Sequence, residues 1–218
     1  MKISKFNEIG RSMVEMLGVL AIIGVLSVGA IAGYSKAMMK YKLNKQAHQL
    51  NTVISAMEKY AHSFNNLKEE QSITTYLTTL NEIPEEMLNK NFPTVLYDIF
   101  DTQIYCKAHP KDNTTSAWKD VVSLSLYPNL SQINEETLAI CKNIYDTIKE
   151  HNAQVYYAYT TSGYNSDDER ESSAFYGNDY CSETKKCLKN LDTETIYQLC
   201  TLHIGTNKSA SINILWKM

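Results

Sequence analysis

The stretch "GRSMVEMLGVLAIIGVLSVGAIAGYSKAM", residues 10–38, decides how this sequence folds. From Met16 to Gly33 the chain has 18 residues, of which Ser27 alone carries a polar side chain. A run of that length and composition can cross a lipid bilayer as a helix. Glu15 directly precedes it, and a charge at membrane depth costs several kcal/mol unless it finds a partner. The sequence therefore predicts one membrane segment, here called the apolar run, and a carboxylate whose presence needs an explanation.

Charge is distributed unevenly along the 218 residues, although the net charge is only -3. Residues 1–68 contain nine Lys or Arg against three Asp or Glu, while residues 69–218 contain twelve against twenty-one. Residues 69–218 are therefore strongly acidic, with nine more Asp or Glu than Lys or Arg. Direct binding of nucleic acid is not expected, because phosphate contacts need a basic surface.

The helical pattern continues past the apolar run without an interruption by Pro or Gly up to residue 66. Apolar side chains recur there at steps of four and three: Leu43, Ala47, Leu50, Ile54, Met57, Ala61 and Phe64. This spacing places them on one face of a helix. We predict one helix from about residue 12 to about residue 65, with a transmembrane half at 11–33 and an amphipathic half at 34–66.

Residues 67–218 are expected to form a globular head of mixed α and β structure. Alternating apolar side chains predict strands around 95–99, 104–108, 122–126 and 212–216, and a tyrosine-rich strand in "AQVYYAYT". Asn134 and Asp192 are placed to cap two helices. Short links between successive strands favour an antiparallel sheet that buries one face under a helix. The fold class is therefore α+β, with the long N-terminal helix packed on the sheet.

Three interpretations of the apolar run remain open from the residues alone. A secretory signal peptide would use the Ala30-Ile31-Ala32 site and be cleaved before Gly33. A plain single-pass anchor would have no need of Glu15. Cations flank both ends of the run, so the positive-inside rule does not decide orientation; they are Lys2, Lys5 and Arg11 on one side and Lys36, Lys40, Lys42 and Lys45 on the other.

The third interpretation comes from a resemblance. The motif "GRSMVE", in which Gly10 is followed by four residues and then Glu15, precedes the apolar run, and "LAIIG" stands at 20–24. This arrangement resembles the N-terminus of type IV prepilins and of type II secretion pseudopilins, over about residues 10–40. Pilin heads are similar to residues 67–218 in layout only.

That resemblance implies how the chain is processed, where it is located and how it assembles. A prepilin peptidase would remove the leader, residues 1–10, between Gly10 and Arg11, often with methylation of the new N-terminus. The family usually has Phe, Met or Leu where this chain has Arg11, so methylation stays open. The helices would then assemble with other pilin or pseudopilin subunits at the bacterial cytoplasmic membrane, with the N-terminus cytoplasmic and the head exported into a pilus or periplasmic pseudopilus. Glu15 would pair with the N-terminal amine of a neighbouring subunit.

Two further residues are candidates for helix assembly. Gly29 and Gly33 form a G-x-x-x-G pair, which allows two helices to approach closely in lipid. The same pair also occurs by chance in apolar runs, so both interpretations stay open.

Five cysteines all lie beyond the apolar run: Cys106, Cys141, Cys181, Cys187 and Cys200. In an exported head, disulfides are the default, with one thiol left over. Cys181 and Cys187 are close in sequence, while Cys106 and Cys141, on inward faces, either pair or remain buried thiols. A zinc set of Cys181, Cys187, Cys200 and His203 is disfavoured, because five residues separate the first two cysteines. No metal or cofactor is expected.

Motifs for catalysis are missing from the sequence, which has no G-x-S-x-G, H-E-x-x-H, P-loop or G-x-G-x-x-G pattern. The acidic stretch "SDDERE" at 166–171 lacks the ligand spacing of a calcium-binding loop and is expected to be a solvated loop. We therefore expect no enzyme. The alternative is a signal-anchored exported enzyme or ligand-binding protein with an unrelated head.

Overall fold

A computed structural model describes residues 7–112, 118–130, 132–161, 172–203 and 210–218, with the backbone alone at 7–12 and 202–203. The chain divides into two compact units, Met1–Tyr41 and Lys42–Met218. The acidic stretch at 166–171 lies outside the described residues, as do residues 1–6 of the expected leader.

One continuous helix, α1, runs from Asn7 to Tyr60 and is followed by a 3-10 turn at Ala61–Phe64. The prediction of a single long helix is confirmed, and the helix begins several residues earlier than expected. Beyond it lie the α-helices α2 at Thr74–Thr79, α3 at Glu135–Glu150 and α4 at Thr193–His203, and short 3-10 turns at Glu85–Met87 and Leu188–Asn190. The described chain is therefore helical at its N-terminus and mixed beyond it.

Both predicted helix caps are present. The Asn134 side chain accepts a hydrogen bond from the backbone N–H of Thr137 at 2.9 Å, and Glu135 and Glu136 occupy the first turn of α3. The carboxylate of Asp192 accepts from the backbone N–H of Thr195 at 2.8 Å at the start of α4. Each cap satisfies a backbone donor that the helix itself leaves unpaired.

The described strands form one antiparallel sheet in the order β1-β3-β4-β7-β5-β6, with β2 paired to β3. Their bounds are β1 Gln71–Ser72, β2 Leu96–Tyr97, β3 Gln103–His109, β4 Val121–Tyr127, β5 Tyr157–Thr161, β6 Phe175–Tyr176 and β7 Ser211–Lys217. The predicted fold class, α+β with an antiparallel sheet, is confirmed. The two-residue strands β1 and β6 were not predicted, because so short a segment has no alternation to detect.

One face of the sheet is apolar and carries the core. Its side chains come from alternate positions of β3, β4 and β7: Ile104, Cys106, Ala108, Val122, Leu124, Leu126, Ile212, Ile214 and Trp216, all buried. Helix α3 packs on this face, since the hydroxyl of its Tyr145 is hydrogen-bonded to Thr160, which lies opposite Ile212.

The expectation that the sheet buries a single face is wrong for the central strands. Val121 of β4, Leu215 of β7 and Tyr159 of β5 are buried on the opposite face, together with Ala174. Tyrosines and Trp118 pack against this second cluster. Strands β4 and β7 are therefore buried on both faces, because aromatic side chains from β5, from β6 and from the segments just before β4 and β5 supply a second layer.

The second half of α1 contributes to the core through the predicted face. Leu50 and Ile54 have no exposed surface, Met57 and Ala61 have almost none, and Phe64 is also buried. The two glutamines of this helix, Gln46 and Gln49, are buried as well.

Gln46 and Gln49 are buried because both bind the loop before β3. Gln46 donates from Nε2 to the Asp98 carboxylate at 2.7 Å, and Gln49 accepts from the backbone N–H of Ile99 at 3.0 Å. Asp98 also accepts from the backbone N–H groups of Phe100 and Thr102. Buried polar groups are tolerated when they are hydrogen-bonded in this way.

Candidate assembly site

The apolar run is exposed along its whole length on α1. Every large apolar side chain from Met13 to Ile31 is between 52% and 75% exposed. Among the described helices, α1 alone is long and apolar enough to cross a membrane. A signal sequence near the N-terminus would meet the same criteria of length and composition. A contiguous apolar surface of this extent is a site for lipid or for other protein chains. It is compatible with a single-pass membrane anchor.

Two serine hydroxyls, one in the run and one just beyond it, already have hydrogen-bond partners. Ser27 donates from Oγ to the carbonyl of Ile23 at 2.7 Å, and Ser35 donates to the carbonyl of Ile31 at 3.0 Å. Bonding within the helix removes most of the cost of placing a hydroxyl in hydrocarbon. Neither serine needs a partner from outside.

Glu15 differs from these serines. It is exposed, and no hydrogen bond or ion pair joins it to any described side chain. The side chain of Arg11, one turn earlier, lies outside the described residues, although the backbone of Gly10 and Arg11 is helical. Glu15 is therefore a carboxylate at the start of an apolar helix with no partner among the described side chains.

The glycines of the run leave open space around the helix. A Cβ added at Gly29 or Gly33 would meet no atom within 4 Å outside the helix backbone, and the same holds at Gly18 and Gly24. Glycine in a helix interior costs about 1 kcal/mol relative to alanine. Nothing described in the chain itself repays that cost, so these positions suit close approach of another helix.

No protein-family model, no curated protein and no solved structure matches this chain. The resemblance to prepilins therefore depends on the residues of the N-terminal motif and the apolar run.

Four of the five cysteines form disulfides in the head. Cys181 pairs with Cys187, with Cα atoms 5.0 Å apart, and Cys141 pairs with Cys200, which links α3 to α4. Of the alternatives for Cys106, the structure has the buried thiol, and burial raises its pKa to about 12. The described residues contain no cluster of three or more His, Cys, Asp or Glu side chains that could hold a metal ion. The three cysteines of the zinc alternative are engaged in disulfides, and the side chain of His203 lies outside the described residues.

A second polar constellation lies in the head and was missed by sequence reasoning. His109 places Nδ1 3.0 Å from a carboxylate oxygen of Glu70 and Nε2 2.8 Å from the hydroxyl of Ser123. A carboxylate only accepts, so the neutral ring carries its proton on Nδ1 and accepts from Ser123. Lys107 also binds Glu70 at 2.8 Å. No spacing in the sequence signals this set, because Glu70 is 39 residues from His109.

The order acid, imidazole, hydroxyl is that of a hydrolase triad, but burial opposes catalysis here. Ser123 has no exposed surface and His109 is 1% exposed. A nucleophile must reach its substrate, whereas this hydroxyl sits within the central strand β4. The Glu70–His109–Ser123 set instead ties the segment before β1 to β3 and β4.

Electrostatics at this set favour the neutral imidazole. Burial lowers the pKa of His109 below its usual value, although the Glu70 carboxylate opposes this shift. Burial alone would raise the pKa of Glu70, but its contacts with Lys107 and His109 lower that pKa overall.

The lowered pKa of His109 predicts an acid-sensitive head. Below the unfolded-state pKa of about 6.5, the unfolded chain binds a proton that the folded chain does not. The free energy of unfolding should therefore fall as pH drops from about 6.5 towards the folded pKa. Denaturant unfolding at several pH values should show this slope in the wild type and a flatter one in His109→Gln. His62→Gln, at an exposed histidine, should keep the wild-type slope; equal slopes in all three proteins would contradict the assignment.

Proposed function

We propose that this chain is a pilin-like subunit, a type IV pilin or a type II secretion pseudopilin, that assembles through its N-terminal helix into a filament. Adhesion, motility, DNA uptake and protein secretion are the roles such filaments serve. The observation that carries the proposal is a helix with an exposed apolar surface and, at its start, a Glu15 that has no partner among the described side chains. We assign the chain no enzymatic reaction.

Energetics support assembly through this surface. Before assembly, lipid would cover the apolar run, and in a filament the helices of neighbouring subunits would replace lipid. Because lipid tails are as apolar as these side chains, packing and polar contacts would drive the exchange. Open glycine positions would allow close packing, and Glu15 would supply the polar contact.

The proposed partner of Glu15 is a new α-amino group. Removal of residues 1–10 by a prepilin peptidase would create that amine at Arg11, four residues before the carboxylate. A helix could bring the two together within one chain, but the prepilin resemblance favours the amine of a neighbouring subunit. An ion pair in a poorly solvated place fixes the register of the groups that form it.

The head is proposed to be exported. Two disulfides fit an oxidising compartment such as the bacterial periplasm. The cytoplasmic membrane would hold the subunit, N-terminus inside, until it joins a pilus or periplasmic pseudopilus.

N-terminal sequencing of the mature protein tests this proposal against its alternative. A pilin-like subunit should begin at Arg11, and Gly10→Val should retain the leader. A chain that begins at Gly33 would be a secreted enzyme or binding protein cut by signal peptidase, and one that keeps Met1 would be a plain anchor. Either of these results would contradict the proposal.

A further inference from the structure

The C-terminal end of the apolar run carries two tyrosines and two lysines. Tyr34 is 66% and Tyr41 is 58% exposed, and Lys36 and Lys40 are exposed as well. Spacing by seven residues puts the tyrosines on one side of the helix, and spacing by four puts the lysines together on another. Tyrosine at this position is typical of a membrane–water interface.

Lys36 and Lys40 have no ion-pair partner among the described side chains, whereas two lysines that follow them on α1 have side-chain contacts. Lys45 forms an ion pair with Glu86 at 3.2 Å, and the Lys42 ammonium lies 5.9 Å from the centre of the Phe100 ring. No ion pair joins Lys36 or Lys40 to a described side chain, and α1 has no carboxylate between Glu15 and Glu58. Like charges four residues apart destabilise a helix slightly, so this pair is better explained by an external anion.

Distances along the helix place the lysines at the phosphate level. The 18 residues from Met16 to Gly33 span about 27 Å, close to the roughly 30 Å of a bilayer's hydrocarbon core. Lys36 then lies about 5 Å and Lys40 about 10 Å beyond Gly33. A headgroup layer is about 5–8 Å thick, and lysine side chains extend towards the polar layer from either side.

We propose that Lys36 and Lys40 bind the phosphates of anionic phospholipids on the membrane face at the C-terminal end of the apolar run, with Tyr34 and Tyr41 in the same interface. This inference depends on the membrane anchor of the proposed function and goes beyond filament assembly. Four lysines at this end, against three cations at the other, are slightly unfavourable for the proposed N-in orientation under the positive-inside rule, so their presence needs a local reason.

Another occupant would be the acidic head of a second copy, since residues 69–218 carry an excess of nine carboxylates. Lipid is favoured because the lysines continue directly from the apolar run and share their level with two exposed tyrosines. A bilayer would thus provide anions at the position that the helix length dictates.

The test uses the full chain in a detergent without sugar or phosphate in its headgroup. Native mass spectrometry measures retention of phosphatidylglycerol and phosphatidylcholine by the wild type, by Lys36→Gln/Lys40→Gln, and by Lys90→Gln/Lys189→Gln. The last pair removes the same charge from exposed positions of the head. At about 1 kcal/mol for each lysine, the wild type should prefer the anionic lipid by roughly 30-fold.

We expect Lys36→Gln/Lys40→Gln to lose that preference and the head variant to keep it. The inference is overturned if the wild type shows no preference, if the first variant retains it, or if both variants lose it equally. Chemical cross-linking of lysines to carboxylates tests the other occupant, a second copy of the chain. The inference is also overturned if Lys36→Gln/Lys40→Gln abolishes such cross-links between two copies while its lipid retention stays unchanged.

Alkaline extraction of wild-type membranes separates two kinds of failure. A chain released by alkali is not membrane-spanning, which would remove the proposed anchor and the lipid site together. A chain that stays in the membrane yet shows no lipid preference would overturn the lipid site alone.

Discussion

Glu15→Val is expected to leave the protein in the membrane, and still cleaved after Gly10, but to exclude it from filaments. Insertion should not suffer, because valine extends the apolar run. Assembly should suffer because a neighbour's N-terminal amine would be left without its carboxylate. Removing one partner of a buried ion pair costs about 3–5 kcal/mol, which corresponds to a loss of at least roughly 100-fold in incorporation. The measurement is the amount of subunit in sheared filaments relative to the amount in membranes.

Ser27→Val supplies the matched control, since it places the same side chain in the same run. Ser27 bonds to the carbonyl of its own helix at Ile23, so its removal should leave no partner unpaired. We expect this variant to assemble within about twofold of the wild type, because neither a charge nor an intermolecular bond is lost.

Glu15→Gln separates charge from hydrogen bonding. The amide keeps the shape and an acceptor but loses the negative charge, so an ion-pair role predicts a defect close to that of valine. Arg11, four residues before Glu15 in the sequence, supplies a second cation that stays protonated at every physiological pH. Wild-type incorporation of Glu15→Val would remove the main reason for the proposed function.

Periodic features of the fold could be predicted from the sequence. The repeat that contains Leu50 and Ile54 identified the buried face of α1, because a helix places positions three and four apart on one side. Alternation at Val122, Leu124 and Leu126 identified a central strand in the same way.

Long-range polar contacts could not be predicted. Gln46 is buried because Asp98, 52 residues away, accepts its hydrogen bond. In the sequence it is one more polar residue between apolar ones, as a solvent-facing glutamine would be. The Glu70–His109–Ser123 set is hidden for the same reason, since strand pairing alone brings these residues together.

The second buried face of the sheet was hidden by composition. Tyr157 and Tyr176 form cross-strand neighbours on β5 and β6, and Lys185 lies 4.9 Å from the Tyr176 ring centre. Tyrosine is common both on surfaces and in cores, so its presence did not predict a covering layer. The disulfide between Cys181 and Cys187 closes the short loop that carries this lysine.

The candidate assembly site also has one part that could be predicted from the sequence and one part that could not. Its apolar run, Glu15 and the glycine spacing are local features that the sequence displays directly. The partner of Glu15 could not be read there, because no described side chain of the same chain provides it.

Ile54→Asp is expected to produce the largest loss of stability in the compact unit Lys42–Met218, which contains the second half of α1 and the head. Ile54 has no exposed surface and lies on the apolar face of α1. Aspartate would remove the buried methyl groups and put a carboxylate in their place. Such a change costs about 4–5 kcal/mol or more, out of a total of roughly 5–15 kcal/mol for a typical domain. Thermal unfolding of the full chain in detergent should show a decrease in Tm of about 10–20 °C, or no cooperative transition.

Ser55→Asp tests whether that effect comes from burial. Residue 55 is adjacent on the same helix and is exposed, so the new carboxylate would stay hydrated there. Its effect should be within about 0.5 kcal/mol, the usual range for surface substitutions. If both variants unfold at the wild-type temperature, the second half of α1 does not pack in the core. If both are destabilised equally, a cause common to the two variants, such as helix propensity or net charge, is responsible rather than burial.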